Sequence, residues 1–178
     1  MMKRILLYLS LFLPFICVQA KVDVCIYGGS ASGCIAAVQA ARMGKSVILI
    51  APGGQIGGLV TSGLTATDMN HHSVIGGVTA EFYGRIYEYY LNPAVWRNQT
   101  RDEFMESTLK RTFTGKNDKR RIQWVYEAGV GEKILREMLK EAGLVVVEGR
   151  LAEKKPVSKC GTTIKSIRLE DGRVREAR

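Results

Sequence analysis

Apolar and polar positions fall in blocks along this chain. Val22 to Tyr27 (VDVCIY) is short, mostly apolar and β-branched, and Ser32 to Met43 is alanine-rich with helical spacing. Gly44 can end that helix, and Ser46 to Ile50 (SVILI) is apolar again. This order predicts a βαβ unit. Strands so apolar have no solvent face, which predicts a parallel sheet covered by helices on both sides. In residues 78–92, Phe82, Ile86 and Tyr89 or Tyr90 form a helical stripe stopped by Pro93 and packed into the core. From Glu127 to Gly143, residues Val130, Ile134, Leu135, Met138, Leu139 and Ala142 share one side, predicting a second amphipathic helix ended by Gly143. Leu144 to Glu148 then reads as a third sheet strand. Leu151 to Lys155, Thr163 to Leu169 and the residues from Arg173 onward read as an antiparallel meander, its last pair joined by Asp171-Gly172. The expected class is α/β, a parallel βαβ with a β-meander. The chain stops at Arg178 where a strand has only begun to pair, so it reads as an incomplete domain.

Composition changes this picture little: 178 residues, 46% hydrophobic and 24% charged, describe an ordinary folding chain and exclude low complexity. The first twenty residues do change it. Met1 to Arg4 are basic, Ile5 to Val18 apolar, and Val18-Gln19-Ala20 places small residues where a signal peptidase looks. The apolar run is fourteen residues, short of the roughly 20 that span a bilayer. The reading is a signal peptide over 1–20, cleaved after Ala20, and one domain over 21–178. The product is exported to the periplasm or secreted, and has no stable membrane association once cleaved. Losing Lys3 and Arg4 lowers the net charge of +9 by two. Most of the remaining excess sits at Lys110 to Arg121, with six basic residues and one acid, in a helical and basic insertion at about 78–123. That loop reads as a solvated insertion, with recognition of an acidic substrate as the sharper alternative. Export and sparse aromatics (Phe113, Trp124) argue against nucleic acid as a partner. Cys25, Cys34 and Cys160 form no CxxC pair, and His71 and His72 are adjacent in a polar loop, so no metal site is expected. Nothing in the sequence fixes the oligomeric state.

The chemistry lies in the glycines, eleven of nineteen falling between Gly28 and Gly77. Gly28-Gly29-Ser30-Ala31-Ser32-Gly33 sits between a strand and a helix, where dinucleotide-binding folds hold a pyrophosphate. Gly28 permits the tight turn, first-turn amides face the phosphates, and Gly33 lets helix and strand approach. Ser30 replaces the usual middle glycine, so its Cβ must be accommodated or its hydroxyl must donate to the phosphate. The acid expected about 20 residues on, which hydrogen-bonds the adenosine ribose, is replaced by Ala51. Asp23 lies too early and Asp68 too late, so ribose contact falls to backbone or to a side chain such as Gln55. With a strand before it and a helix after it, the turn reads as phosphate-binding rather than purely structural, but this context does not separate NAD from FAD.

The stretch from Asp23 to Asn70, including GGSASG and GGLVTSG, followed by IGGVTAEFYGRIYEYY, closely resembles the start of the FAD-dependent oxidoreductase family. These are glutathione-reductase-like flavoproteins related to heterodisulfide-reductase-like proteins. The resemblance covers Asp23 to about Tyr90, and more weakly Trp124 to Gly172. It implies a Rossmann-like FAD-binding domain with FAD as cofactor and Gly28 to Gly33 on its pyrophosphate. It further implies that Gly57, Gly58, Thr61, Ser62 and Gly63 run along the cofactor toward the flavin, with Leu64 to Asp68 continuing that wall. Paired glycines suit close backbone approach, and Thr61 and Ser62 offer hydroxyl donors. Two departures stand out: Ala51 lacks the acid many relatives carry, and Ala128-Gly129 stand where many show Pro-His. The clustered cysteines by which some relatives hold iron–sulfur clusters have no counterpart here. The implied activity is transfer of a hydride or electrons from a small organic substrate, a carbohydrate-derived compound being one candidate. No catalytic residue can be named, and the fragment alone is expected to be inactive. The competing readings are a non-catalytic secreted polyanion-binding protein and an NAD-binding Rossmann oxidoreductase.

Overall fold

A computed structural model describes residues 21–64, 66–67, 72–109 and 121–178, without the side chains of 72, 108 and 109. The expected export signal, Asp68, His71 and the basic loop as far as 120 lie outside the described residues. Strands β1 (Val24–Tyr27), β2 (Val47–Ala51) and β3 (Val146–Glu148) form a parallel sheet in the order β1-β2-β3. Helix α1 (Ala31–Arg42) makes the first crossover. It begins at Ser30, whose side chain accepts from the Gly33 N–H, and ends before Gly44, whose φ of +75° releases the chain into β2. At the base of the pair, the Ser46 amide and hydroxyl both donate to Asp23, at 2.9 and 2.6 Å.

Between β2 and β3 come α2 (Gly77–Leu91), α3 (Arg101–Leu109) and α4 (Ala128–Glu141). Register places Ile26, Leu49 and Val146 across one sheet face. That face packs in one core with Cys34, Ala37 and Val38 of α1 and Ile134, Leu135 and Met138 of α4. Burying each of the valine, isoleucine, leucine and methionine side chains among these stabilises by about 1.5–3 kcal/mol. An ion-pair chain links the ends of α1 and α4 through α2: Arg42 bonds Glu81, and Arg85 bonds both Glu81 and Glu141. Phe82, Tyr83, Trp124 and Tyr126 meet mostly edge-on inside the core. Around Tyr90, the rings of Trp96 and Phe104 close a second aromatic group. The Tyr90 hydroxyl donates to the Glu127 carboxylate and accepts from the Glu127 amide, fixing the entry to α4.

Three expectations change. Helices were expected on both sheet faces, but among the described residues α1, α2 and α4 share one core with Ile26, Leu49 and Val146, and at the other face Tyr27 meets the segment that leads into the meander. The Leu151 amide donates to the Tyr27 hydroxyl at 3.2 Å, and a Cβ on Gly149 would lie 2.7 Å from Cδ1 of buried Leu169. The meander also starts later than Leu151 to Lys155, as β4 (Val157–Cys160), β5 (Thr163–Arg168) and β6 (Val174–Glu176). Leu151 makes only an isolated bridge to Leu169, because Lys155 turns at φ 49° and Pro156 has no N–H to give a ladder. Helix α3 was not expected, although its start is written as a capping box. Thr100 Oγ1 accepts from the Glu103 amide at 3.2 Å, and the Glu103 carboxylate accepts from the Thr100 amide at 2.7 Å. After β6 the chain returns to the start of β1, where Val22 and Ala177 form a parallel bridge.

Candidate dinucleotide site

The apolar strand β1 ends at Tyr27, and the Gly28 amide still donates to Ile50 O at 2.8 Å, so the chain leaves the sheet beside the end of β2. Gly28 then turns at φ +124°, a backbone an L side chain rarely adopts, with open space where its Cβ would be. Gly33 answers it from the first turn of α1: a Cβ there would lie 2.1 Å from the Gly28 carbonyl oxygen. Only glycine allows helix and strand to approach this closely. Gly29 is buried beneath the turn, where a Cβ would meet Gln55 O at 2.7 Å and Ala51 Cβ at 2.8 Å.

The amino end of α1 opens outward over this turn, with no acidic residue in its first turn. The amides of Ala31 and Ser32, at the first helical positions, have no intrahelical acceptor and carry the positive end of the helix dipole. Ser30 caps the helix, its Oγ accepting from Gly33 N at 3.2 Å, and it lies 2.9 Å from the Ser32 hydroxyl. One of these two hydroxyls donates to the other, which leaves one proton of the pair for an outside acceptor. The Ser30 Cβ faces the second glycine turn and does not close the mouth. A Cβ on Gly58 would lie 3.8 Å from it, an ordinary contact, so it is the φ of +55° at Gly58 that favours glycine there.

That second turn is tied to the first: the Gly57 amide donates to Gly29 O at 2.6 Å, and Ser30 and Gly57 form a bridge. Within it Gly57, Gly58 and Gly63 all have positive φ. Thr61 is buried, and its hydroxyl donates to Ile56 O at 2.5 Å. Ser62 Oγ donates to Gly58 O at 2.7 Å and accepts from the Gln55 side-chain Nε2 at 3.1 Å. The hydroxyls expected to serve a flavin edge thus hold the turn in shape, and Gln55 turns toward Ser62. Ala51 is fully buried at the end of β2. Burial raises the Cys34 thiol pKa, so this cysteine packs as a neutral side chain under Gly29.

A cavity of about 620 Å³ begins at Ser32 and runs between α1 and α2. Ile35, Val60, Val78, Phe82 and Leu135 give it apolar walls, while Gln39 and Thr79 add polar groups. The sequence signal for this wall is Phe82, at the head of a helical stripe that by its spacing alone reads as core.

A parallel βαβ unit with a glycine-lined, positively polarised helix mouth defines a dinucleotide-binding α/β domain. The family model for FAD dependent oxidoreductases matches residues 23–178, and the chain belongs to that family. Its cofactor is FAD, and the turn fits the group: Gly28 and Gly33 leave the space, and the α1 amides and one serine proton supply the donors. No curated protein matches the chain. Among solved structures, the flavin-containing monooxygenase from Stenotrophomonas maltophilia aligns with 90% of this chain and 37% of its own, at 17% identity and a TM-score of 0.49. The L-amino acid deaminase from Proteus vulgaris aligns with 88% of this chain and 46% of its own, at 15% identity and a TM-score of 0.49. For the thioredoxin reductase from Streptococcus pyogenes MGAS5005 the figures are 89% and 33%, at 16% identity and a TM-score of 0.46. The chain thus spans a third to a half of the length of these proteins.

Proposed function

We propose that this chain is the cofactor-holding part of an exported FAD-dependent oxidoreductase that takes a hydride or an electron pair from a small organic substrate. The observation that carries the reading is the Gly28–Gly33 turn at the open mouth of α1, on a chain whose family match runs from 23 to 178. The amides of Ala31 and Ser32 and the free proton of the Ser30–Ser32 pair would hold the pyrophosphate. The turn from Gly57 to Gly63 is stiffened by its own Thr61 and Ser62 hydroxyls and offers a fixed backbone edge beside them. Bound flavin would supply the redox chemistry, accepting two electrons from an organic donor. The walls formed by Ile35, Val78, Phe82 and Leu135 would exclude water next to that turn and favour an apolar portion of cofactor or substrate. The apolar run behind a basic start at Met1 to Arg4, ending in Val18-Gln19-Ala20, supports export.

The test is direct. Purified protein is expected to be yellow with a flavin absorption spectrum, and nucleotide extracted from it should be FAD, one per chain, on chromatography and mass analysis. Colourless protein that takes up no FAD from solution would refute the proposal. Periplasmic or secreted protein beginning at Lys21 supports export, and a full-length cytoplasmic product refutes that part.

A further inference from the structure

Ala51 leaves the usual ribose position without a carboxylate, and the sheet register shows where another lies. Ala51 on β2 and Glu148 on β3 are register partners in parallel strands, so their side chains leave the sheet on the same face. Their strands are neighbours, about 4.8 Å apart, and a glutamate stem spans such a gap. The Glu148 carboxylate leans toward the exit of β2: a Cβ on Gly54 would lie 3.4 Å from its Oε2. Its backbone is pinned on both sides, the Gly149 amide donating to Ala51 O at 3.3 Å and Arg173 donating to Glu148 O at 2.6 Å. Among the described residues no cation or donor engages the carboxylate itself. The nearby acid Asp171, by contrast, is paired with Arg173. A polar cavity of about 410 Å³ opens at the same corner, bordered by Gly53, Glu148, Arg150 and Glu170, a volume within the range of small-ligand sites.

We propose that Glu148 supplies, from the neighbouring strand, the carboxylate that accepts hydrogen bonds from the adenosine ribose diol of FAD. It stands in for the acid that position 51 lacks. The same charge disfavours a ribose bearing a 2′-phosphate. This inference rests on the FAD reading above.

The test is titration of the cofactor-free full chain with FAD, followed by flavin fluorescence, for the wild type, Glu148→Gln and Glu148→Ala. Glu148 is exposed, so both variants should keep the wild-type circular dichroism spectrum and melting temperature. Loss of hydrogen bonds to a charged group predicts Kd rising about tenfold to a hundredfold. FAD carrying 2′-deoxyadenosine should bind the wild type correspondingly more weakly, yet bind Glu148→Gln within about twofold of FAD itself. Flavin mononucleotide, which lacks the adenosine, should bind all three proteins equally. A wild type that binds FAD while both folded variants bind it within twofold overturns this inference alone. A wild type that binds no FAD overturns the cofactor reading and this inference with it.

Discussion

Replacing Gly33 by alanine is the sharpest perturbation of the proposed site. The new methyl would lie 2.1 Å from the Gly28 carbonyl oxygen and 3.5 Å from Ile26 Cγ2, whereas ordinary contact begins near 3.4 Å. Both Gly28 and the helix are backbone, so no side chain can swing aside. Helix α1 must retreat from β1 by more than an ångström. That retreat loosens Cys34, Ala37 and Val38, all fully buried under the helix. Overpacking costs about 1–3 kcal/mol where neighbours can adjust, so about 3 kcal/mol or more is expected here. Against a typical total stability of about 5–15 kcal/mol this is a large fraction. With a urea slope of about 2 kcal/mol per molar, the unfolding midpoint should fall by about 1.5 M. The FAD affinity of the remaining folded protein should fall with it. Gly28→Ala isolates the backbone part, since its Cβ would meet nothing within 4 Å and only the φ of +124° is strained, at about 1–3 kcal/mol. Gly129→Ala near the start of α4 also meets nothing and has no positive φ. It should be neutral or stabilising by up to about 1 kcal/mol. Equilibrium urea unfolding and FAD titration of the three variants should therefore rank Gly33 worst and Gly129 harmless. A Gly33→Ala protein with wild-type midpoint and affinity would refute the close-approach argument.

Other consequences follow from the same geometry. Thr61→Val keeps the shape but leaves Ile56 O without its donor, so thermal unfolding should show a loss of about 1–3 kcal/mol, and Thr61→Ser should recover most of it. Hydrogen bonds from Ser46 hold the Asp23 carboxyl below its ordinary 3.8, and those from Arg42 and Arg85 hold Glu81 and Glu141 below 4.5. Their contribution is fully present above those values and is lost as pH falls through the lowered folded ones. Stability should therefore drop below about pH 4, and Asp23→Asn with Glu81→Gln should flatten that acid limb; an unaltered limb in acid titration of the melting temperature counts against this. For the thiols, Cys160 is exposed and Cys34 buried with its pKa raised. A thiol reagent should label Cys160 first and Cys34 only on unfolding, as mass analysis of the labelled peptides would show.

Much of the architecture is legible in local patterns. The strand, alanine-rich helix and strand around GGSASG appear where the periodicities place them, because burial alone makes such segments commit to a strand or a helix. The amphipathic stripe from Val130 to Leu139 likewise lies against the core. Helix α3 is legible too, in Thr100 and Glu103, but its apolar stripe is too weak to announce it. The meander start is misplaced because Leu151 to Lys155 reads as a short strand until the turn at Lys155 and the missing N–H of Pro156 are counted.

Local order fixed the secondary elements, the glycine turn and its helix mouth, since backbone freedom and capping act between residues close in sequence. The partnerships across the fold were decided only by tertiary structure. Nothing in the spacing shows that Thr61 spends its hydroxyl on Ile56 O, or that the segment leading into the meander reaches back to Tyr27. Ala51 and Glu148 stand far apart in the chain, yet parallel pairing sets them side by side. Hydrogen bonds and charges act through space, and the register that brings these groups together exists only once the sheet has formed.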